Sequence, residues 1–190
     1  MNPPEFEIYR SLLKEKSGII ITPDKTYLLE SRLTPVAKKF ELDGLGALAQ
    51  AIKANPNGPE LNDVIEAMTT NETSFFRDKT PFDNFTNTCL PYLQKSRISK
   101  RLKVWCAAAS SGQEPYSLRM LLEDRSDMAG WSYDITGTDL SHDILETAKA
   151  GIYSQFEVQR GLPIQMLMKY FTQIEEKSVS YTHLTLPTKA

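Results

Sequence analysis

Residues 102–150 constrain the fold most. Leu102–Ala107 (LKVWCA) is a short apolar run of strand character. It ends in the small-residue loop AASSGQ and is followed by a helical pattern from Pro115. A second strand pattern, Tyr133–Thr138, runs into Asp139 and then a helix over Ser141–Ala150. Strand, loop, helix, strand, acid, helix is the opening of a doubly wound α/β sheet, in which ligands bind at the carboxyl ends of the strands. Only these two strands are legible after residue 101. Such a sheet commonly has about five or more strands, so the α/β part is expected to be incomplete, with one more helix over Ile164–Phe171.

The residues before this region read differently. Phe6, Tyr9, Leu12 and Leu13 recur at helical spacing, as do Leu28, Leu29 and Leu33 in a second helix that Pro35 is expected to kink or end. Leu45, Leu48, Ala49 and Ile52 mark a third helix, stopped by the turn-like Asn55–Pro59, and Leu61, Val64, Ile65 and Met68 a fourth. A fifth opens near Thr80-Pro81 and carries Phe82, Phe85, Cys89 and Leu90. The expected organisation is therefore a helical domain over residues 1–95 and an α/β domain over 96–177.

Composition narrows the function classes. Among 190 residues there are 22 Lys+Arg and 24 Asp+Glu, a net charge of −2, which gives no global electrostatic drive towards nucleic acid or membrane. No apolar run is long enough for a transmembrane helix, and the start has no signal-peptide pattern. Two cysteines, Cys89 and Cys106, and two histidines, without metal spacing, argue against a zinc site and for a reduced, cytoplasmic chain. The absence of GxGxxG weighs against a nicotinamide-dependent oxidoreductase.

Three clusters carry chemistry. Asn71-Glu72-Thr73-Ser74-Phe75-Phe76-Arg77-Asp78 lies between the fourth and fifth helices. Val104-Trp105-Cys106-Ala107-Ala108-Ala109-Ser110-Ser111-Gly112-Gln113-Glu114-Pro115-Tyr116-Ser117 spans the first strand and its loop. Gly137-Thr138-Asp139-Leu140 is followed by Ala148-Lys149-Ala150-Gly151-Ile152-Tyr153. On the residues alone, Glu114 is either a helix N-terminal acid or an acceptor for a cationic ligand. Asp139 is either a cap for the next helix or an acceptor for ribose hydroxyls. The loop 107–114 is either a tight turn or a place where a ligand approaches the backbone. Phe75 and Phe76 read as packing residues.

These clusters, in this order, resemble the chemotaxis-receptor methyltransferase family, CheR, from about Phe6 to Phe171. The resemblance implies a small N-terminal helical domain followed by the first part of a Rossmann-like methyltransferase domain. It also implies methylation of glutamate side chains on cytoplasmic chemoreceptor helices with S-adenosyl-L-methionine. By the same resemblance Asn71, Thr73, Arg77, Glu114 and Asp139 are cofactor-binding residues and Arg77 is catalytic. Residues 25–39 hold Lys25, Arg32, Lys38 and Lys39 against Glu30. In the family this part approaches the acidic receptor helices, which makes Arg32, Lys38 and Lys39 receptor-binding candidates; the alternative is a solvated helix face. The chain is expected to be a cytoplasmic monomer.

Members of that family continue well past Phe171. The ending Val179–Thr188 matches no expected part of the pattern and resembles a translated sequencing-library adaptor, so residues 178–190 are expected to be a non-native tail on a truncated enzyme. A fragment of that kind would have an incomplete sheet, and a non-catalytic receptor-binding module is the alternative function.

Overall fold

A computed structural model describes residues 1–173 with their side chains and the backbone of 174, 177–180 and 188–189. The chain divides into two compact units, Met1–Thr70 and Asn71–Ala190.

The first unit is four helices: α1 (Pro3–Ser17), α2 (Thr26–Lys39), α3 (Gly44–Ala54) and α4 (Pro59–Met68). α1 starts with a reciprocal cap between Asn2 and Glu5, has proline in its first turn, and stops at Gly18 in the left-handed conformation. Its core packs Tyr9, Leu13, Leu29, Leu33, Leu48 and Val64, and the buried Tyr9 hydroxyl donates to the Leu45 carbonyl at 2.6 Å. Pro35 neither ends nor interrupts α2, which continues to Lys39. The proline is exposed while Leu33, Val36 and Ala37 beside it are buried. The carbonyl that loses its donor therefore lies on the solvent side, and burial of the opposite face sustains the helix against a local cost of about 3 kcal/mol.

Arg32 departs from expectation. It is half-buried, and its Nη1 donates to the carbonyls of Ala67, Met68 and Thr69 at 3.4, 3.2 and 3.2 Å. These belong to the carboxyl end of α4, where a cation satisfies orphan carbonyls and complements the helix dipole. Lys39 pairs with Asp63 of α4, whereas Lys38 is exposed. The basic run on α2 is therefore partly an internal clamp between α2 and α4.

The second unit takes in the helical stretch expected to close the first domain. α5 (Lys79–Asn84), a wide π turn over Phe85–Cys89 and α6 (Leu90–Ser96) are consecutive. The wide turn precedes Pro91, which lacks the N–H an α ladder would need. Phe82 and Leu90 are buried in the same core as Leu102, Met120 and Ile135. The boundary is thus at Thr70/Asn71, in place of the expected Ser96 region.

β1 (Arg101–Ala107) and β2 (Ser132–Thr138) pair in parallel, with Ala107 opposite Thr138, and α7 (Gln113–Glu123) crosses between them. β6 (Thr188–Lys189) adds a parallel pairing to Gly137 and Thr138. α8 (His142–Ala150) follows β2, capped by Ser141, whose hydroxyl accepts from Ile144 N–H. Beyond it lie β3 (Ile152–Ser154), α9 (Gln155–Gln159), α10 (Ile164–Tyr170), β4 (Phe171–Ile174) and β5 (Lys177–Ser180). The last two strands and β3 form a separate antiparallel sheet in the order β3-β5-β4. The two-strand reading therefore missed four short strands. Two of them, β5 and β6, lie wholly or mainly in the segment read as a tail, the rest of which lies outside the described residues.

The clamp on α4 makes a testable statement. Arg32→Ala should destabilise the helical unit by about 1–2 kcal/mol, the scale for hydrogen bonds to a charged donor that is partly exposed. Amide exchange in α2 and α4 should accelerate, and exchange in α8 should stay as it was.

Candidate functional site

The site is built where β1 and β2 end side by side. The chain leaves β1 through Ala108 and Ser110, both in the left-handed region with φ of 58° and 50°, an uncommon conformation for residues other than glycine. Asp139, the first residue after β2, holds this turn. Its Oδ2 accepts from Ser110 N–H at 2.8 Å, and its Oδ1 accepts from Ser141 N–H at 3.1 Å. Ser110 Oγ in turn donates to the Asn71 carbonyl at 2.8 Å. One carboxylate thus joins the two strand ends, and through Ser110 the segment 71–78 is joined to them.

Gly112 opens α7 at φ 95°, and a Cβ there would stand 3.0 Å from the Tyr153 hydroxyl and 3.1 Å from Ala148 Cβ. Tyr153 is fully buried and donates to the Ser111 carbonyl at 2.7 Å, while Tyr116 donates to the Ala148 carbonyl at 3.1 Å. Phe75, also fully buried, meets Tyr153 edge-on at 5.0 Å and Phe171 at 5.6 Å between ring centres. Such edge contacts are the favoured aromatic geometry.

The expected site residues fall into place as follows. Asn71 touches the β1 loop through its main chain. Thr73 is half-buried in the same segment. Arg77 is exposed, and its Nη1 donates to the Glu72 carbonyl at 2.7 Å. The Glu72 carboxylate turns to Arg160 of the α9–α10 connection, 2.6 Å away. That hydrogen bond first, then the charges of Arg160 and Arg77, hold it below the usual carboxylate range. Glu114 is exposed in the first turn of α7 and neighbours the buried Cys106 thiol. Burial, reinforced by the Glu114 charge and hydrogen bond, pushes that thiol up to about 12. The structure joins Asn71, Ser110 and Asp139 directly, whereas Arg32, Lys38 and Lys39 belong to the first unit.

The residues that sequence reasoning passed over are Ser110, Ser117, Tyr153, Arg160 and Gly161. Ser110, Ser117 and Tyr153 were inside the quoted clusters, and their signal was being a hydroxyl in a segment otherwise small or apolar. Arg160 and Gly161 had no signal in the chain.

The donor set fits a cationic nucleoside ligand. Two acids flank the strand ends. Each Asp139 oxygen receives one N–H and so retains a lone pair, and Glu114 faces solvent at a helix start. Among the described residues no group of three or more His, Cys, Asp or Glu could hold a metal ion, and no helix is long and apolar enough to cross a membrane.

This combination defines a class: an α/β domain with paired acids at the ends of its first two parallel strands, preceded by a helical unit. Comparison with known proteins gives the family. Residues 4–69 match the CheR methyltransferase all-alpha domain, and residues 71–184 match the CheR methyltransferase SAM binding domain. The chain belongs to the CheR methyltransferase family, and S-adenosyl-L-methionine is the cofactor of its second domain. It is 39% identical over 171 residues to chemotaxis protein methyltransferase Cher2 of Pseudomonas putida and to chemotaxis protein methyltransferase 1 of Pseudomonas aeruginosa, covering 88% of this chain and 62% of each relative. It is 37% identical over 170 residues to the chemotaxis protein methyltransferase of Vibrio parahaemolyticus, covering 88% of this chain and 61% of that one. The chain thus spans about three fifths of the length of the curated relatives it matches. The second match begins at Asn71 and supports the boundary found in the fold.

The environment of Cys106 has a measurable consequence. Cys89 is exposed and Cys106 buried. A disulfide reagent at pH 8 should titrate one thiol rapidly, and the second only on unfolding. Because folding raises the Cys106 pKa from 9.0, the unfolded state ionises first. Stability should therefore fall as pH climbs from about 9 towards 12. Cys106→Ser should flatten that decline in a pH series of thermal melts.

Proposed function

We propose that this chain is the cofactor-binding and receptor-facing portion of a protein-glutamate O-methyltransferase acting on chemoreceptor helices. The observation that carries it is the Asp139–Ser110–Asn71 linkage, which gathers both strand-end loops and the Arg77 segment into one site. When bound, S-adenosyl-L-methionine supplies an electrophilic methyl group on a sulfonium. Glu114 is suited to accept from its ammonium group and Asp139 from ribose hydroxyls, with Asn71, Thr73 and Arg77 in the segment joined to them through Ser110 and the Arg77 guanidinium suited to its carboxylate.

A glutamate carboxylate has an ordinary pKa of about 4.3 and is an anion at neutral pH, so no general base is needed. What the protein must contribute is orientation, which can supply about 7–11 kcal/mol of a barrier in well-aligned cases. Arg77 is suited to this role, since a guanidinium presents a planar fork to a carboxylate. In the full-length enzyme, Arg77→Ala should lower receptor methylation by roughly 100-fold, equivalent to about 3 kcal/mol, with little change in melting temperature. Wild-type turnover in that variant would reject the assignment.

Receptor docking on α2 rests on its basic run. Lys38 is the cleaner probe, because Arg32 also clamps α4 and Lys39 is paired with Asp63. Lys38→Glu should raise the KM for an acidic receptor fragment, with a smaller penalty at high salt where exposed charges are screened, and leave cofactor affinity intact by calorimetry. A salt-independent KM would count against this surface. Calorimetry with S-adenosyl-L-methionine on the 190-residue chain tests the cofactor assignment itself.

A further inference from the structure

Ser117 and Gly161 have no place in the reading above, yet both grip the segment that ends in Arg77. Ser117 is fully buried in α7. A serine inside a helix commonly donates to the carbonyl one turn back, and Ser117 Oγ does so to Gln113 at 2.6 Å. The same oxygen also accepts from Phe76 N–H at 3.0 Å, from 41 positions away in the chain. Gly161 meets the carbonyl side of the same peptide group. With φ at 93°, it lies so close that a Cβ would stand 2.1 Å from the Phe75 carbonyl oxygen. No side chain can occupy that space without displacing the backbone of 75–76.

The turn held between these two residues is itself unfavourable. Phe76 has φ of 48° and Asp78 of 55°, and a bulky residue in the left-handed region persists only where its surroundings over-determine it. Reversal of the chain at Phe76 leaves Phe75 buried and Arg77 exposed. The Phe75 ring is pinned between Tyr153 and Phe171, its carbonyl lies on Gly161, and the next amide is taken by Ser117. These contacts end one residue short of Arg77.

We infer that Ser117 and Gly161 are positioning residues for Arg77: they fix the 75–76 peptide group in a strained turn and so set the direction of the guanidinium. This deepens the methyltransferase reading and rests on it for the role of Arg77, while the anchoring is open to independent measurement. Ser117→Ala removes the acceptor and leaves the helix otherwise intact, Ser117→Thr restores a hydroxyl, and Gly161→Ala attacks the turn from the other side.

Two measurements on the 190-residue chain decide. Amide exchange, read by mass spectrometry over a peptide covering 71–78, should accelerate about tenfold in Ser117→Ala, the scale of one lost hydrogen bond. Exchange in α8 should stay at the parent rate, Ser117→Thr should return towards the parent, and Gly161→Ala should reproduce the local acceleration. Calorimetric affinity for S-adenosyl-L-methionine should fall several-fold in Ser117→Ala, but not further when the substitution is added to Arg77→Ala, as expected for residues acting as one unit. Parent-like exchange over 71–78 in both variants, or equal acceleration throughout α7, α8 and β2, would overturn the inference. So would an undiminished affinity loss in the Arg77→Ala background. A parent chain that binds no cofactor would count against the methyltransferase reading, and the exchange result would still stand for or against the anchors.

Discussion

The carboxylate of Asp139 is the point on which the second unit's ligand end depends. β1 and β2 finish level with one another, Ala107 beside Thr138, and each must release its chain into a loop that leads to a helix. A short parallel ladder does not dictate where those loops go. Asp139 does so by accepting one N–H from each, Ser110 on one side and Ser141 on the other. Hydrogen bonds to an ionised acceptor are about twice as strong as neutral ones. Two of them can hold a turn that contains two non-glycine residues in the left-handed region. With Ser110 placed, its hydroxyl reaches Asn71, and the site acquires its third segment. Asp139, proposed above to accept from the cofactor, is thus first a structural tie, and each of its oxygens keeps a lone pair beyond the N–H it receives.

Strain is concentrated at this end of the unit. Of the five non-glycine residues with positive φ among the described residues, Phe76, Asp78, Ala108 and Ser110 lie in the two segments that build the site, and Glu41 alone lies elsewhere. Such conformations cost about 1–3 kcal/mol each and survive where contacts over-determine them. Here the contacts can be named: Asp139 for Ser110, Ser117 and Gly161 for the turn at Phe76. The aromatic group of Phe75, Tyr153 and Phe171 lies beneath, so the strained segments rest on a rigid apolar floor.

Legibility from sequence followed the length scale of each feature. β1, β2 and the helices were readable because apolar periodicity persists over seven or more residues, and the 71–78, 104–117 and 137–153 clusters are long. β3 has three residues and β4 four, too few for alternation to stand out. The unit boundary was misplaced for a different reason. The helical stretch 79–96 has the same periodicity as the helices before it, and only its packing against Leu102 and Met120 assigns it to the second unit. The clamp that Arg32, a receptor-binding candidate, makes on α4 is not legible because its acceptors are main-chain oxygens 35 to 37 positions away, and backbone acceptors leave no mark in a sequence. The acid pair Glu114 and Asp139 is legible as a cofactor candidate through the clusters that resemble the CheR family, since on the residues alone each is equally a helix-end acid or cap. The hydroxyls of Ser110 and Ser117 were not, since serine suits almost any turn or helix.

The arrangement around Glu72 shows how Arg77 stays exposed with an acid five residues away. Glu72 is five residues from Arg77 and exposed, so its own carboxylate competes for the guanidinium, whose charge it feels. Arg160 takes the hydrogen bond of the Glu72 carboxylate at 2.6 Å, while the Glu72 main-chain carbonyl takes Arg77 Nη1 at 2.7 Å. The main-chain contact orients the guanidinium through a neutral acceptor and engages one of its five N–H donors. Arg77 is thus exposed and directed by a neutral acceptor, while the Glu72 carboxylate is hydrogen-bonded to Arg160. An ion pair exposed to this degree adds little to stability; its consequence is local, holding the Glu72 carboxylate on Arg160 while the Glu72 main chain holds Arg77.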